Sequence, residues 1–342
     1  MNAIAPPVIA QRSTMNGKPV FTVPSQSVVN FDSGFRHKLL CDGLTFTTGS
    51  ACTFSCSFCY VPDMTRKYRP WLDAQGVRGA HEDIVIRRED PISVLRKQLA
   101  TTKGRALARK QLVIYASPLV DVASNLDLVR ETVEACKVIL AETKWQIRLL
   151  SKSHLLPQVA DRLCFDLPAS TVQQRLIFGV STGTLDDRLA STFEAGAPLV
   201  SKRLASIHWL QDHGFRTFGM VCPSLPQRDY DKFAGDMAAA IRSDQCEHIW
   251  AEVINLRGDS FTRTVNALRK GGLDAEAAAL ETVSTDKMAW ERYARATFEA
   301  HALIYRRQRG PDRKPKLRFL QYATKSTLDY WGEAEPKGAV LL

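Results

Sequence analysis

The sequence predicts an α/β fold, a partial (β/α)6 TIM-like barrel with N- and C-terminal extensions. Two observations lead there. Six short apolar runs, at 39–47, 111–116, 145–150, 175–181, 216–222 and 248–256, are each followed by polar or Gly/Pro-rich residues. Between them lie amphipathic stretches of helical period, at 91–101, 126–142, 154–162, 199–214 and 229–244. Strands buried on both faces of a parallel sheet read as near-continuous apolar runs, and their alternation with helices is the mark of βα units.

Within 126–142, for example, Val129, Val133, Cys136, Val138 and Leu140 fall near one stripe, with Arg130, Glu131 and Lys137 outside it. The alternation spans 37–258, the expected core. Residues 1–36 carry Pro6, Pro7, Pro19, Pro24, Gly17 and Gly34 and read as an irregular extension. Residues 259–342 change to Ala-rich helices at 274–282 and 287–305, then a basic loop at 306–316. Barrels of this kind gather their chemistry at the C-terminal ends of the strands, so functional residues are expected just after each apolar run.

Composition narrows the class. Hydrophobic residues at 45% and charged residues at 24% exclude collagen-like and largely disordered chains. No export signal and no long apolar window is visible, which predicts a cytoplasmic protein with no membrane partner. Eight cysteines in such a chain point to reduced thiols or metal ligands rather than disulfides. The net charge of +10 suits either a polyanionic partner or a merely solvated surface.

The cysteines are not scattered. Directly after the first apolar run stands Thr48-Gly-Ser-Ala-Cys52-Thr-Phe-Ser-Cys56-Ser-Phe-Cys59-Tyr60, with the spacing C-x3-C-x2-C. Three thiolates on one tight loop can bind three irons of a cubane cluster and leave the fourth iron open to a substrate. A structural zinc site usually needs a fourth Cys or His, and none lies within the loop.

This motif resembles that of the radical S-adenosylmethionine (SAM) superfamily closely, including the aromatic Phe58 before the third cysteine. The resemblance implies a barrel of the radical SAM type, a [4Fe-4S] cluster on Cys52, Cys56 and Cys59, SAM as co-substrate, and a reducing electron donor such as flavodoxin or ferredoxin. Further along, Leu149-Leu-Ser-Lys152-Ser153, Phe178-Gly-Val-Ser181-Thr-Gly-Thr184, Phe193-Glu194 through Arg203-Leu204, and Gly219-Met-Val-Cys222-Pro223 are similar to the spore photoproduct lyase-like (DNA repair photolyase-like) branch.

That narrower resemblance implies that Lys152 and Ser181 bind the SAM carboxylate, a cation and a hydroxyl on an anion, and that Ser117 and Asp121 hold its amino group. Tyr60 either stacks on the adenosyl part or packs in the core. Glu252, Asn255 and Arg257 face the open end of the barrel beside SAM or form ordinary ion pairs. The branch's name-giving enzyme returns a hydrogen atom from a cysteine after its second strand, and the turn from Tyr115 to Asp121 has none. A different substrate is therefore expected, with Cys222 as the candidate hydrogen-atom donor.

The basic loop 306–316, near Tyr305, Phe319 and Tyr322, reads as a solvated connector or, with the resemblance added, as a nucleic-acid surface. Three functions remain: radical chemistry on a nucleic-acid base or nucleotide, the same chemistry on a peptide, protein or small molecule, and a non-enzymatic zinc or nucleic-acid binding protein.

Overall fold

Six parallel strands stand close to the six apolar runs. The structure, a computed structural model, describes residues 13–25, 27–116, 118–256 and 258–342. Three strands precede the core: β1 (Ser13–Met15), β2 (Lys18–Val23) and β3 (Val29–Asn30). The six expected strands are β4 (Leu44–Phe46), β7 (Val113–Ala116), β8 (Gln146–Ser151), β9 (Leu176–Ser181), β10 (Arg216–Ser224) and β11 (Cys246–Val253), with β5 (Gly49–Ala51) and β6 (Val85–Arg88) inserted after the first. Two more, β12 (Leu317–Gln321) and β13 (Ala339–Leu341), close the series.

The main sheet runs β13-β12-β11-β10-β9-β8-β7-β4-β3, parallel throughout except for β3 at its edge. It is an open, partial barrel. Alternation along each strand sorts the side chains. Leu176, Phe178 and Val180 of β9 join the large core between sheet and helices, while Ile177 joins a smaller cluster with Tyr115, Phe218, Met220, Trp250 and Leu320 on the inner face. Arg148 lies among these rings, 4.9 Å from the centroid of Trp250 and 5.6 Å from that of Phe218, and its guanidinium also donates to Leu40 O.

Two expectations are corrected. The described part of the N-terminal extension is not irregular: β2 pairs with β6 in a second sheet of order β1-β2-β6-β5. The prolines and glycines punctuate this segment without preventing pairing, because Phe21 and Val23 bury against Ala51, Leu72, Val77, Ile84 and Ile86. The C-terminal residues are not only helical and basic, since β12 and β13 continue the main sheet. Their apolar runs are short, Leu317-Arg-Phe-Leu interrupted by a charge and Ala339-Val-Leu only three residues long, so neither stood out as a strand.

Candidate functional site at the strand ends

The C-terminal ends of the core strands converge on a cavity of about 440 Å3. Its walls include Cys52, Cys56 and Cys59 on one side and Asp121, Lys152, Ser181, Cys222, Glu252 and Asn255 across from strand ends β7 to β11. Strand alternation explains the membership. Cys222 follows the inward-facing Phe218 and Met220, Glu252 follows Trp250, and Ser181 follows Ile177 and Gly179, each by steps of two.

The cysteine loop leaves β5 and is held from both flanks. Cys56 bridges to Glu194, Ser57 N donates to Phe193 O at 2.8 Å, and the Ser57 hydroxyl donates to Thr264 Oγ1 at 3.0 Å. Arg263, on the helix Ser260–Lys270, donates to Ser57 O at 3.0 Å and Cys59 O at 2.7 Å. Phe58 packs on Phe193 with ring centroids 5.5 Å apart. The Gly196 backbone lies so close that a Cβ there would meet Thr53 O at 2.8 Å.

Burial pushes all three thiols up, to about 12 at Cys52. As neutral thiols they hold protons that a metal or cluster must displace, since the ligand is the thiolate. Among the described residues, no three His, Cys, Asp or Glu side chains already form a closed metal-ligand set. The donor chemistry nonetheless fits a cluster held at three corners: three thiols from eight residues border one cavity, and hydroxyl, ammonium and carboxylate groups border the same space.

Lys152 and Ser181 are brought together as expected. The Lys152 ammonium donates to Ser181 Oγ at 3.0 Å, lies 2.7 Å from Glu194 Oε1, and sits 5.2 Å from the centroid of Phe58. Glu194, only 1% exposed, also pairs with the equally buried Arg203. The two cations thus exceed the one carboxylate by a single positive charge, a fitting counterpart to a ligand carboxylate.

Asp121 lies on the cavity wall, and its carboxylate accepts from Ser151 Oγ at 2.8 Å, Ala123 N at 2.9 Å and Lys152 N at 2.8 Å. Burial raises its pKa, with the two backbone N–H groups and the Ser151 hydroxyl opposing the shift. It therefore joins the ends of β7 and β8 as well as bordering the cavity. Tyr60 is 43% exposed rather than packed in the core, and its hydroxyl donates to Pro118 O at 2.5 Å. Ser117 and Arg257 lie outside the described residues.

Cys222 falls within β10 rather than at its end, and its thiol donates to Glu252 Oε2 at 3.8 Å. Lys38 reaches the same carboxylate oxygen at 3.8 Å. Burial works against the charge on Lys38, but Glu252 and Tyr322 outweigh it and its pKa is raised. Sequence reasoning missed Lys38, which stands in an irregular turn with no motif, and did not single out Glu194, although both its neighbours in space, Lys152 and Arg203, lie in the segments quoted above.

Gly183 marks how tightly the strand ends meet. A Cβ there would lie 1.8 Å from Pro223 O. Gly183→Ala is expected to cost about 1–3 kcal/mol in urea unfolding, because the β9 and β10 ends must separate. Gly235→Ala, on the helix Tyr230–Ala240 with open space around it, is expected to be neutral or slightly stabilising. Equal losses at both positions would contradict the close approach.

A cysteine loop at the mouth of an open parallel barrel is the architecture of the radical SAM class, and the chain has that fold. Within the class, solved structures of spore photoproduct lyase superpose on it. One variant matches with a TM-score of 0.59 at 12% identity, over 89% of this chain and 82% of that one. Another, with bound AdoMet and dinucleoside spore photoproduct, matches with a TM-score of 0.50 at 14% identity, over 73% of this chain and 66% of that one. At such identities the likeness is one of fold. No family model matches the sequence, and no curated protein matches it.

Proposed function

We propose that this chain is a radical SAM enzyme acting on a nucleic-acid base or nucleotide. The observation that carries the reading is the single cavity bordered at once by Cys52, Cys56 and Cys59 and by the Lys152–Ser181 pair. When bound there, a [4Fe-4S] cluster supplies the electron that cleaves SAM to methionine and a 5′-deoxyadenosyl radical. The three cysteines hold the cluster, Lys152 and Ser181 take the SAM carboxylate, and Asp121 and Asn255 border the same ligand.

Buried Glu194 and Arg203 keep Lys152 in place, and the cavity walls exclude water from reactive species. Cys222 is the candidate hydrogen-atom donor, held as a neutral thiol by burial and by the Glu252 carboxylate beside it. Support for a nucleic-acid target comes from the fold likeness to an enzyme whose bound ligand is a dinucleoside, together with the net charge of +10. A low-potential donor such as flavodoxin or ferredoxin completes the proposal. No helix among the described residues is long and apolar enough to cross a membrane.

The test is anaerobic reconstitution of the full chain with iron and sulfide, followed by dithionite and SAM. Uptake of about four irons and formation of 5′-deoxyadenosine are expected. Preferential uptake of zinc with SAM left intact would make the non-enzymatic, zinc-stabilised reading the correct one.

A further inference from the structure

Beside the cavity mouth runs a groove of about 1150 Å3, walled on one side by residues from 23–25 and 27–35 and on the other by the helical turns after the cysteine loop. Phe35, Met64, Pro118 and Leu119 line both spaces, so the groove and the cavity adjoin. Resting on the reading that a nucleic-acid base is the target, we infer that this groove carries a nucleic-acid strand with unstacked bases and delivers one of them to the cavity.

The residues have the two chemistries such a strand requires. Met64, Tyr68 and Trp71 stand four and three residues apart along consecutive helical turns, and all are well exposed, at 48%, 51% and 44%. Leu72, from the same turn as Trp71, instead buries in the small sheet's core. Two exposed rings and a methionine along one wall form the kind of apolar surface that marks an interaction site. Phe31 offers a further ring across the groove. Bases of any sequence stack on such surfaces.

Cations accompany the rings. Lys67 and Lys103 line the groove with Arg88, and the two lysines lie 5.0 Å and 5.9 Å from the ring centroids of Tyr68 and Phe31. Asp32, the one carboxylate among the described lining residues, faces Arg36 at 3.2 Å. The wall is thus positive and suited to phosphates.

This placement moves the nucleic-acid surface away from the basic loop 306–316. That loop sits at the opposite end of the barrel, where Ile249 N donates to Lys316 O at 2.9 Å and Asp312 pairs with His248 and Arg318. Along β11 its partner His248 and the cavity's Glu252 stand four residues apart, on the order of 13 Å, with Trp250 and the buried inner cluster between them. A strand bound there could not present a base to the cysteine loop.

The experiment measures fluorescence anisotropy of a fluorescein-labelled single-stranded DNA 12-mer with the full chain over a range of salt. Tyr68→Ala/Trp71→Ala is expected to weaken binding about tenfold or more. Lys67→Gln/Lys103→Gln should weaken it and lower the slope of log K against log salt by about 1.4. Arg306→Gln/Arg307→Gln, also on exposed side chains, should leave binding near wild type.

Thermal melting of each variant identifies any loss due to unfolding, and because rings and charges are tested separately, one misfolded variant leaves the other decisive. If wild type binds and only the 306–307 variant loses affinity, the groove assignment is wrong while the nucleic-acid reading survives. If wild type binds no oligonucleotide at low salt, that reading falls and the groove with it.

Discussion

Cys56→Ala is expected to abolish both cluster assembly and SAM cleavage while leaving the fold in place. Removing one of three thiol ligands leaves too few protein bonds to hold a cubane at three corners, so iron after reconstitution should fall well below four per chain and 5′-deoxyadenosine to background. The loop itself should survive. Its anchors are the backbone of Ser57 and Cys59 held by Arg263, the Ser57–Phe193 hydrogen bond, and the Phe58 ring, none of which uses the Cys56 sulfur.

The comparison that gives this meaning is Cys164→Ala, on the helix Leu156–Asp166 and half-buried away from the cavity. That variant should take up iron and cleave SAM as wild type does. A Cys56→Ala chain that keeps about four irons and full turnover would remove the cluster assignment altogether.

Much of the architecture was legible because the inner strands of a parallel sheet are mostly apolar along their length: the runs ending at Ala116, Leu150, Ser181 and Cys222 read as strands, even though β8 carries Arg148. The edges were harder. β12 keeps Arg318 buried by setting it over Trp250 at 4.8 Å and against Asp312, and a strand that pays for an arginine in this way has no clean apolar pattern to recognise. The N-terminal strands were hidden for a related reason, since β2 is apolar at only three positions and its partner β6 lies some sixty residues on.

The site divided along the same line. The cysteine loop and the Lys152–Ser181 pair were legible because motif residues sit at strand ends. Lys38 and Glu194 were not, since the first joins Glu252 from a turn more than two hundred residues away and the second acquires its role only when the chain folds it between Lys152 and Arg203. Such pairings are written in no local pattern.

Glu194 is also where the largest loss of stability is expected. Its carboxylate is the counterion shared by two cations, one of them the fully buried Arg203, whose remaining hydrogen bonds run to Pro198 O at 2.7 Å and Ser181 O at 3.3 Å. Glu194→Gln keeps the shape but leaves two positive charges facing each other in a low-dielectric setting. Breaking a buried pair from one side costs about 3–5 kcal/mol. With an unfolding entropy of about 2.1 cal/mol/K per residue, that corresponds to a fall in Tm of roughly 4–7 °C for a chain of this size. Arg203→Gln alone should cost less, because Lys152 still neutralises Glu194, and Glu194→Gln/Arg203→Gln should cost clearly less than the sum, because the fully buried Arg203 charge is no longer stranded and only Lys152 is left without its carboxylate. Strict additivity of the two single losses would show that packing, not charge, is what Glu194 contributes. Because Glu194 also bridges by its backbone to Cys56, the single variant should in addition loosen the cysteine loop, seen as faster hydrogen exchange at Ser57 and Cys59.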